Sequence, residues 1–156
     1  MKGYGGYSGK ILRVDLSSGK TRDEPLSDSL VESYLGGRGI ASKILMDELK
    51  PGVDPLGPEN KIVFICGPLT GSIVPTTSRL CISAKSPLTN LLGSGYAGGS
   101  FGPELKFTGY DGIVVEGAAE KPVYLWINDG TVEIRDATHL WGKDAFETEE
   151  LIGVEL

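Results

Sequence analysis

The sequence predicts an α+β fold with largely antiparallel sheets, and three features of its patterning carry that expectation. Short apolar runs rich in β-branched and aromatic residues recur along the chain, as half-buried or buried strands do. Several are joined by two- or three-residue turns, the signature of hairpins. Helix-period segments are short and interspersed, so long helical crossovers of the kind that build a parallel sheet are few. With 156 residues and 40% hydrophobic content the chain can bury one core, and a single domain over residues 1–156 is expected.

The elements follow in order. From Gly9 to Leu16 apolar Ile11, Leu12, Val14 and Leu16 alternate with Lys10, Arg13 and Asp15; Ser17, Ser18 and Gly19 then turn the chain into Lys20 to Glu24, which predicts a β-hairpin. Ser27 and Asp28 open a short helix whose apolar face is Leu30, Val31, Tyr34 and Leu35, ended by Gly36 and Gly37. Beyond the GGRG segment, Ile40, Ile44, Leu45 and Leu49 recur at helical spacing, and this helix must stop before Pro51. Pro51 to Asn60 is a loop. Lys61 to Cys66 predicts a strand buried on both faces, and Arg79 to Ala84 a second. Ser94 to Gly102, with four glycines, predicts a loop feeding a short helix over Pro103 to Phe107. Gly112 to Val115 and Pro122 to Asn128 predict strands, the latter turning at Asn128, Asp129 and Gly130 into Thr131 to Arg135. A final helix is expected over Asp144 to Leu151.

Composition excludes several function classes. Fifteen basic against 21 acidic residues give a net charge of −6, which disfavours a nucleic-acid track or an anionic membrane surface as partner. No run approaches the length of a membrane span, and Met1 to Lys10 is polar and glycine-rich; a soluble, cytoplasmic protein is expected. Cys66 and Cys81 each sit inside an apolar run, as buried thiols do. His139 stands without metal-ligand spacing, no CxxC pair occurs, and Glu104 and Lys106 receive no catalytic role.

The chemistry, if any, gathers at glycine. Ten of its 23 residues fall in three clusters, Gly36 to Gly39, Gly67 to Gly71 and Gly93 to Gly102. Such loops let backbone amides approach the oxygens of a phosphate or pyrophosphate; turns between strands are the alternative. Arg38 and Arg79 lie beside these clusters, and a guanidinium grips an oxyanion through two parallel hydrogen bonds. The residues by themselves reach an oxyanion-binding α+β domain.

The motifs GGRGIASKIL (36–45), GPLTG (67–71), SRLCISAKSPLT (78–89), AGGSFGPELKFTGYDGIVVEG (97–117) and KPVYLWI (121–127) resemble, in order, the amino-terminal domain of the tungsten-containing aldehyde ferredoxin oxidoreductases. The resemblance covers roughly Gly5 to Thr148 and implies an α+β domain of two largely antiparallel β-sheets with short helices, the base of a larger enzyme. On that base a tungsten (or molybdenum) bis-pterin cofactor, a tungstopterin or molybdopterin, is held beneath two helical domains. By resemblance Arg79 matches the arginine that reaches the pterin and lies between it and the iron-sulfur cluster, and Gly98 matches a backbone contact to the cofactor. Tyr96 stands where some members carry a pterin-contacting asparagine, and Arg38 is carried over on its motif. The implied reaction oxidises an aldehyde to a carboxylic acid and passes electrons through a [4Fe-4S] cluster to ferredoxin. The cluster's cysteines and the substrate pocket are expected outside this chain, in helical domains that follow or in a companion subunit, so the chain is expected to be inactive alone. A homo-oligomer is a further expected partner arrangement. The competing expectation is a stand-alone binding or interaction module that kept the fold and lost the redox function.

Overall fold

The computed structural model describes residues 4–156. Contacts divide the chain into two compact units, Met1–Ala118 and Ala119–Leu156.

The first unit is built on a six-stranded sheet. Strands β1 (Lys10–Asp15) and β2 (Lys20–Pro25) form the expected hairpin, followed by helices α1 (Asp28–Tyr34) and α2 (Gly37–Glu48). Then come β3 (Lys61–Cys66), β4 (Leu80–Lys85), β5 (Leu92–Ala97), α3 (Phe101–Phe107) and β6 (Gly112–Glu116). The strand order is β2-β1-β6-β3-β4-β5, antiparallel throughout except for the parallel β1–β6 pair.

Helix α1 starts where Ser27 supplies its hydroxyl to the Leu30 amide, satisfying a donor the first turn leaves free. It ends as Leu35 turns to φ 59° and returns its amide to the Val31 carbonyl. Helix α2 lies over one face of the sheet. Its Ile40, Ala41, Ile44 and Leu45 are buried with Ile11, Val63, Ile65 and Val114 of the strands and with Leu26 and Val31. At about 1.5–3 kcal/mol for each large aliphatic side chain removed from water, this contact is what fixes α2 to the sheet. The other face meets the start of α3, where a methyl at Gly102 would lie 3.6 Å from the Leu80 Cβ.

Three expectations are corrected here. The GGRG segment does not precede the second helix; Gly37 to Gly39 forms its first turn, because the apolar stripe that follows holds the helix on the sheet whatever glycine's own preference. The glycine-rich stretch read as a loop from Ser94 is a strand through Ala97, recruited by backbone pairing with β4. Strand β3 is not buried on both faces: Val63 and Ile65 are sealed, whereas Phe64 is half-buried and Ile62 is 38% exposed.

The second unit is smaller. Strands β7 (Val123–Asn128) and β8 (Thr131–Asp136) pair antiparallel around Asp129 and Gly130, both at positive φ, the backbone that a tight two-residue hairpin turn demands. A 3₁₀ turn (Thr138–Leu140) leads to α4 (Ala145–Glu155), which opens with a reciprocal capping box between Asp144 and Glu147. None of the α4 side chains is buried. A cleft of about 590 Å³ within this unit is lined by Tyr124, Leu140, Trp141 and Ile152, among others.

Candidate functional site at the glycine-lined end of the sheet

Strand direction decides which loops meet. β3 runs toward Cys66, β5 toward Ala97, and β4 starts at Leu80, which pairs with both Cys66 and Ala97. The Gly67 loop, the residues before β4 and the Gly98 stretch therefore emerge at one end of the sheet. Helix α2 points its amino terminus to the same end, since a methyl at Gly36 would sit 3.1 Å from the Cys66 carbonyl oxygen and one at Gly37 would sit 3.8 Å from the Cys81 Cβ. The Gly36–Gly39 and Gly67–Gly71 clusters and the Gly98 end of the third, separate in sequence, thus converge at one end of the sheet.

Thr70 ties two of them together. Its hydroxyl accepts from the Gly67 amide at 3.1 Å and donates to the Arg79 carbonyl at 3.1 Å. The Cys66 thiol donates to the Gly102 carbonyl at 3.5 Å. Burial pushes that thiol up to about 12, so it stays protonated and unreactive at neutral pH. Cys66 and Cys81 occupy adjacent, opposite-facing positions across the β3–β4 pair and are both buried and free.

Each of the four predicted site residues lies at this end. Arg38 is in the first turn of α2 and is exposed. Arg79 is exposed immediately before β4, and Gly98 immediately follows β5, so the two flank the Leu80–Ala97 pair. Tyr96 pairs with Cys81, and directly opposed residues of an antiparallel pair project to the same face; its ring is therefore on the α2 side, 52% exposed. Positions Gly95, Gly98 and Gly99 have nothing within 4 Å of where a Cβ would be, leaving backbone open to a ligand.

The arginines divide sharply. Arg13, Arg22 and Arg135 are each paired with a carboxylate. Among the described residues the Arg38 and Arg79 guanidiniums have no hydrogen bond or ion pair. An exposed guanidinium beside open backbone amides is equipped to receive an anionic, heteroatom-rich ligand. The α2 terminus adds to this, for Gly36 offers no side-chain cap and no acidic residue stands in the first turn.

Sequence reasoning passed over Asp111, which the structure buries against Lys106 at this same end. The available signal was a lone carboxylate inside the apolar run YDGIVV, five residues after a lysine. His139 lies 3.1 Å from Glu155 and is 44% exposed. Among the described residues no group of three or more His, Cys, Asp or Glu could hold a metal ion, and no helix is long and apolar enough to cross a membrane.

Residues 11–156 match the sequence family described as the aldehyde ferredoxin oxidoreductase N-terminal domain. The chain is 50% identical over 153 residues to the tungsten-containing aldehyde ferredoxin oxidoreductase of Pyrococcus furiosus, covering 98% of this chain and 25% of that protein. It is 43% identical over 144 residues to the aliphatic sulfonate oxidoreductase, WOR-like subunit, of the same organism, covering 90% of this chain and 23% of that subunit. Among solved structures, the active-site complex BamBC of benzoyl coenzyme A reductase, in complex with 1,5-dienoyl-CoA, superposes with a TM-score of 0.94 at 43% identity, covering 96% of this chain and 23% of that one. The chain spans about a quarter of the length of the curated relatives it matches.

Proposed function

This chain belongs to the aldehyde ferredoxin oxidoreductase family, in its N-terminal domain, and on that premise we propose that it forms one side of the cradle for a tungsten bis-pterin cofactor. The observation that carries the reading is the convergence of three glycine clusters with two exposed, unpaired guanidiniums. Both compact units are taken as parts of one N-terminal domain, since the family match runs through both.

The residues fit such a group chemically. A pterin pyranodithiolene presents ring heteroatoms and a phosphate, and these call for hydrogen-bond donors and close backbone approach. Arg79 and Arg38 supply bidentate donors, Gly98 supplies open backbone, and Tyr96 supplies a hydroxyl and an aromatic face in place of an amide side chain. When bound, the metal-pterin supplies two-electron oxidation of an aldehyde to a carboxylic acid, with electrons leaving through a [4Fe-4S] cluster to ferredoxin. The part played by this chain is to bind and orient the cofactor. Arg79 holds a fixed positive charge beside it, favouring its anionic groups. Cluster ligands and substrate pocket are assigned to the helical domains or to a companion subunit, because Cys66 and Cys81 are buried in the sheet. Free, buried thiols also suit a reducing, cytoplasmic setting. The stand-alone binding module is the less favoured reading, as the relatives named above are oxidoreductases.

The test is made on the protein purified anaerobically from its natural host with whatever polypeptides accompany it. Tungsten, molybdenum and released pterin are quantified for native protein and for Arg79→Ala, together with aldehyde-dependent reduction of ferredoxin. Loss of a charge-assisted bidentate contact predicts cofactor retention lowered by about tenfold or more. Equal metal and pterin content in the two proteins would remove Arg79 from the cradle, and absence of both from native protein would remove the reading.

A further inference from the structure

Beneath the glycine-lined end lies the one ion pair, among the described residues, in which both partners are nearly sealed from solvent: Lys106 at 9% and Asp111 at 4% side-chain exposure. Taking two charges out of water is costly, and an apolar pair of similar volume commonly serves stability as well or better. Stability alone therefore does not account for the pair. Its hydrogen bonds do. Asp111 accepts from the amides of Ser8 at 3.0 Å and Gly9 at 2.6 Å, and the Lys106 ammonium donates to the Gly6 carbonyl at 2.7 Å. The pair fastens the segment Gly6 to Gly9.

That segment reaches the site in two directions. The Tyr7 hydroxyl donates to the Leu35 carbonyl at 2.5 Å, immediately before Gly36 and one residue past the end of α1 at Tyr34. Gly6, at φ 88°, approaches the Gly67 loop so closely that a methyl there would sit 2.4 Å from the Pro68 carbonyl oxygen. The partners of the pair make the remaining links. Lys106 belongs to α3, which follows the Gly98 stretch, and its Cβ lies 3.5 Å from where a Gly71 methyl would be. The Asp111 carbonyl accepts from the Cys66 amide at 2.9 Å, next to Gly67. One buried pair is thereby joined to all three glycine clusters.

We propose that Lys106, Asp111 and Tyr7 are positioning residues. The ion pair fixes the Gly6–Gly9 segment, and that segment holds the Leu35–Arg38 turn and the Gly67–Gly71 loop in the arrangement that receives the cofactor. What the loops receive rests on the function proposed above; the positioning is a property of the polypeptide and is measured separately.

Amide hydrogen exchange on the native protein, with its accompanying polypeptides and cofactor, is compared with two variants. Tyr7→Phe removes a single hydroxyl. Lys106→Met combined with Asp111→Leu replaces both charges by apolar groups. Tyr7→Phe is expected to speed exchange about tenfold across Leu35 to Arg38, as loss of one hydrogen bond to a local turn does, while the β3 and β6 amides remain the slowest in the chain and the melting temperature falls by no more than about 5 °C, the share of that one bond in global unfolding. The double variant extends the faster exchange to Gly6–Gly9 and Gly67–Gly71 and lowers metal and pterin content per chain by about tenfold. Unchanged exchange at the turn in Tyr7→Phe, or β3 and β6 amides accelerated more than those of the turn, overturns the proposal, and this arm decides even where the double variant does not fold. Local loosening in a protein that carries no metal-pterin when native upholds the positioning and overturns the cofactor reading instead.

Discussion

Across the six-stranded sheet and toward one end of it Arg13 and Lys61 are paired with Glu24, Glu48 and Glu116, whereas at the other end Arg38 and Arg79 stand exposed beside glycine-rich backbone without a carboxylate partner among the described residues. Arg13 is 8% exposed in its side chain and bonds Glu48 at 2.6 and 2.8 Å and Glu24 at 2.7 Å. Glu48 is the last residue of α2, so this lattice pins the carboxyl end of the helix to β1, β2 and β3. The amino end of the same helix carries Arg38 and is pinned by packing instead. The two ends differ because a charge whose partners are already present has been used by the fold, while an unpaired one is left for a ligand. A polar cavity of about 320 Å³ at the first end, lined by Asp15, Glu48, Lys61 and Glu116 among others, is consistent with this: several of its charged groups are already engaged with one another.

The comparison is broken most directly by removing its central charge. Arg13→Met should cost about 3 kcal/mol in denaturant unfolding, because it leaves two partly buried carboxylates with only Lys61 and Arg22 as cationic partners; a loss below about 1 kcal/mol would mean that the lattice is not what holds α2. Acid should act on the same end. Burial alone would raise Glu48 and Glu24, but Arg13, with Lys61 at the first and Arg22 at the second, holds both below the usual carboxylate value. A carboxyl depressed in the folded state contributes stability that is complete above its unfolded pKa, about 4.3, and is lost as pH falls through the folded value. Unfolding free energy should therefore fall with acidification below about pH 4.3, and Arg13→Met should flatten that slope. At the glycine-lined end the smallest effect is the informative one: Arg38→Ala and Arg79→Ala should each change stability by less than about 0.5 kcal/mol, while Arg79→Ala still lowers retained cofactor. A large destabilisation by either would show that these arginines, too, serve the fold.

Much of the fold was legible because it rests on local pattern. The β1–β2 alternation, the Ser27 cap, the α2 stripe ending before Pro51, and the Asp129–Gly130 turn all appear where the residues require them. What misled was glycine. In Leu92 to Ala97 it masked a strand that exists because β4 offers a ladder, and in GGRG it masked a helical turn held by the packing downstream. The candidate residues Arg38, Arg79, Tyr96 and Gly98 were named from motifs, and their gathering at one end of the sheet could not be read from spacing, since Arg38 and its furthest companion, Gly98, lie 60 positions apart along the chain.

By itself, then, the sequence determined the class of fold, the family and the residue types available for an oxyanion, because periodicity, turn chemistry and motif order are properties of neighbours along the chain. The tertiary structure alone decided which arginines are consumed by carboxylates and which remain free, that Lys106 and Asp111 meet beneath the glycine loops, and that three distant clusters converge at one end of the sheet. The reason is physical: hydrogen bonds and ion pairs act over a few ångströms in space, and which residues come that close is set by strand order and register, which no local pattern encodes.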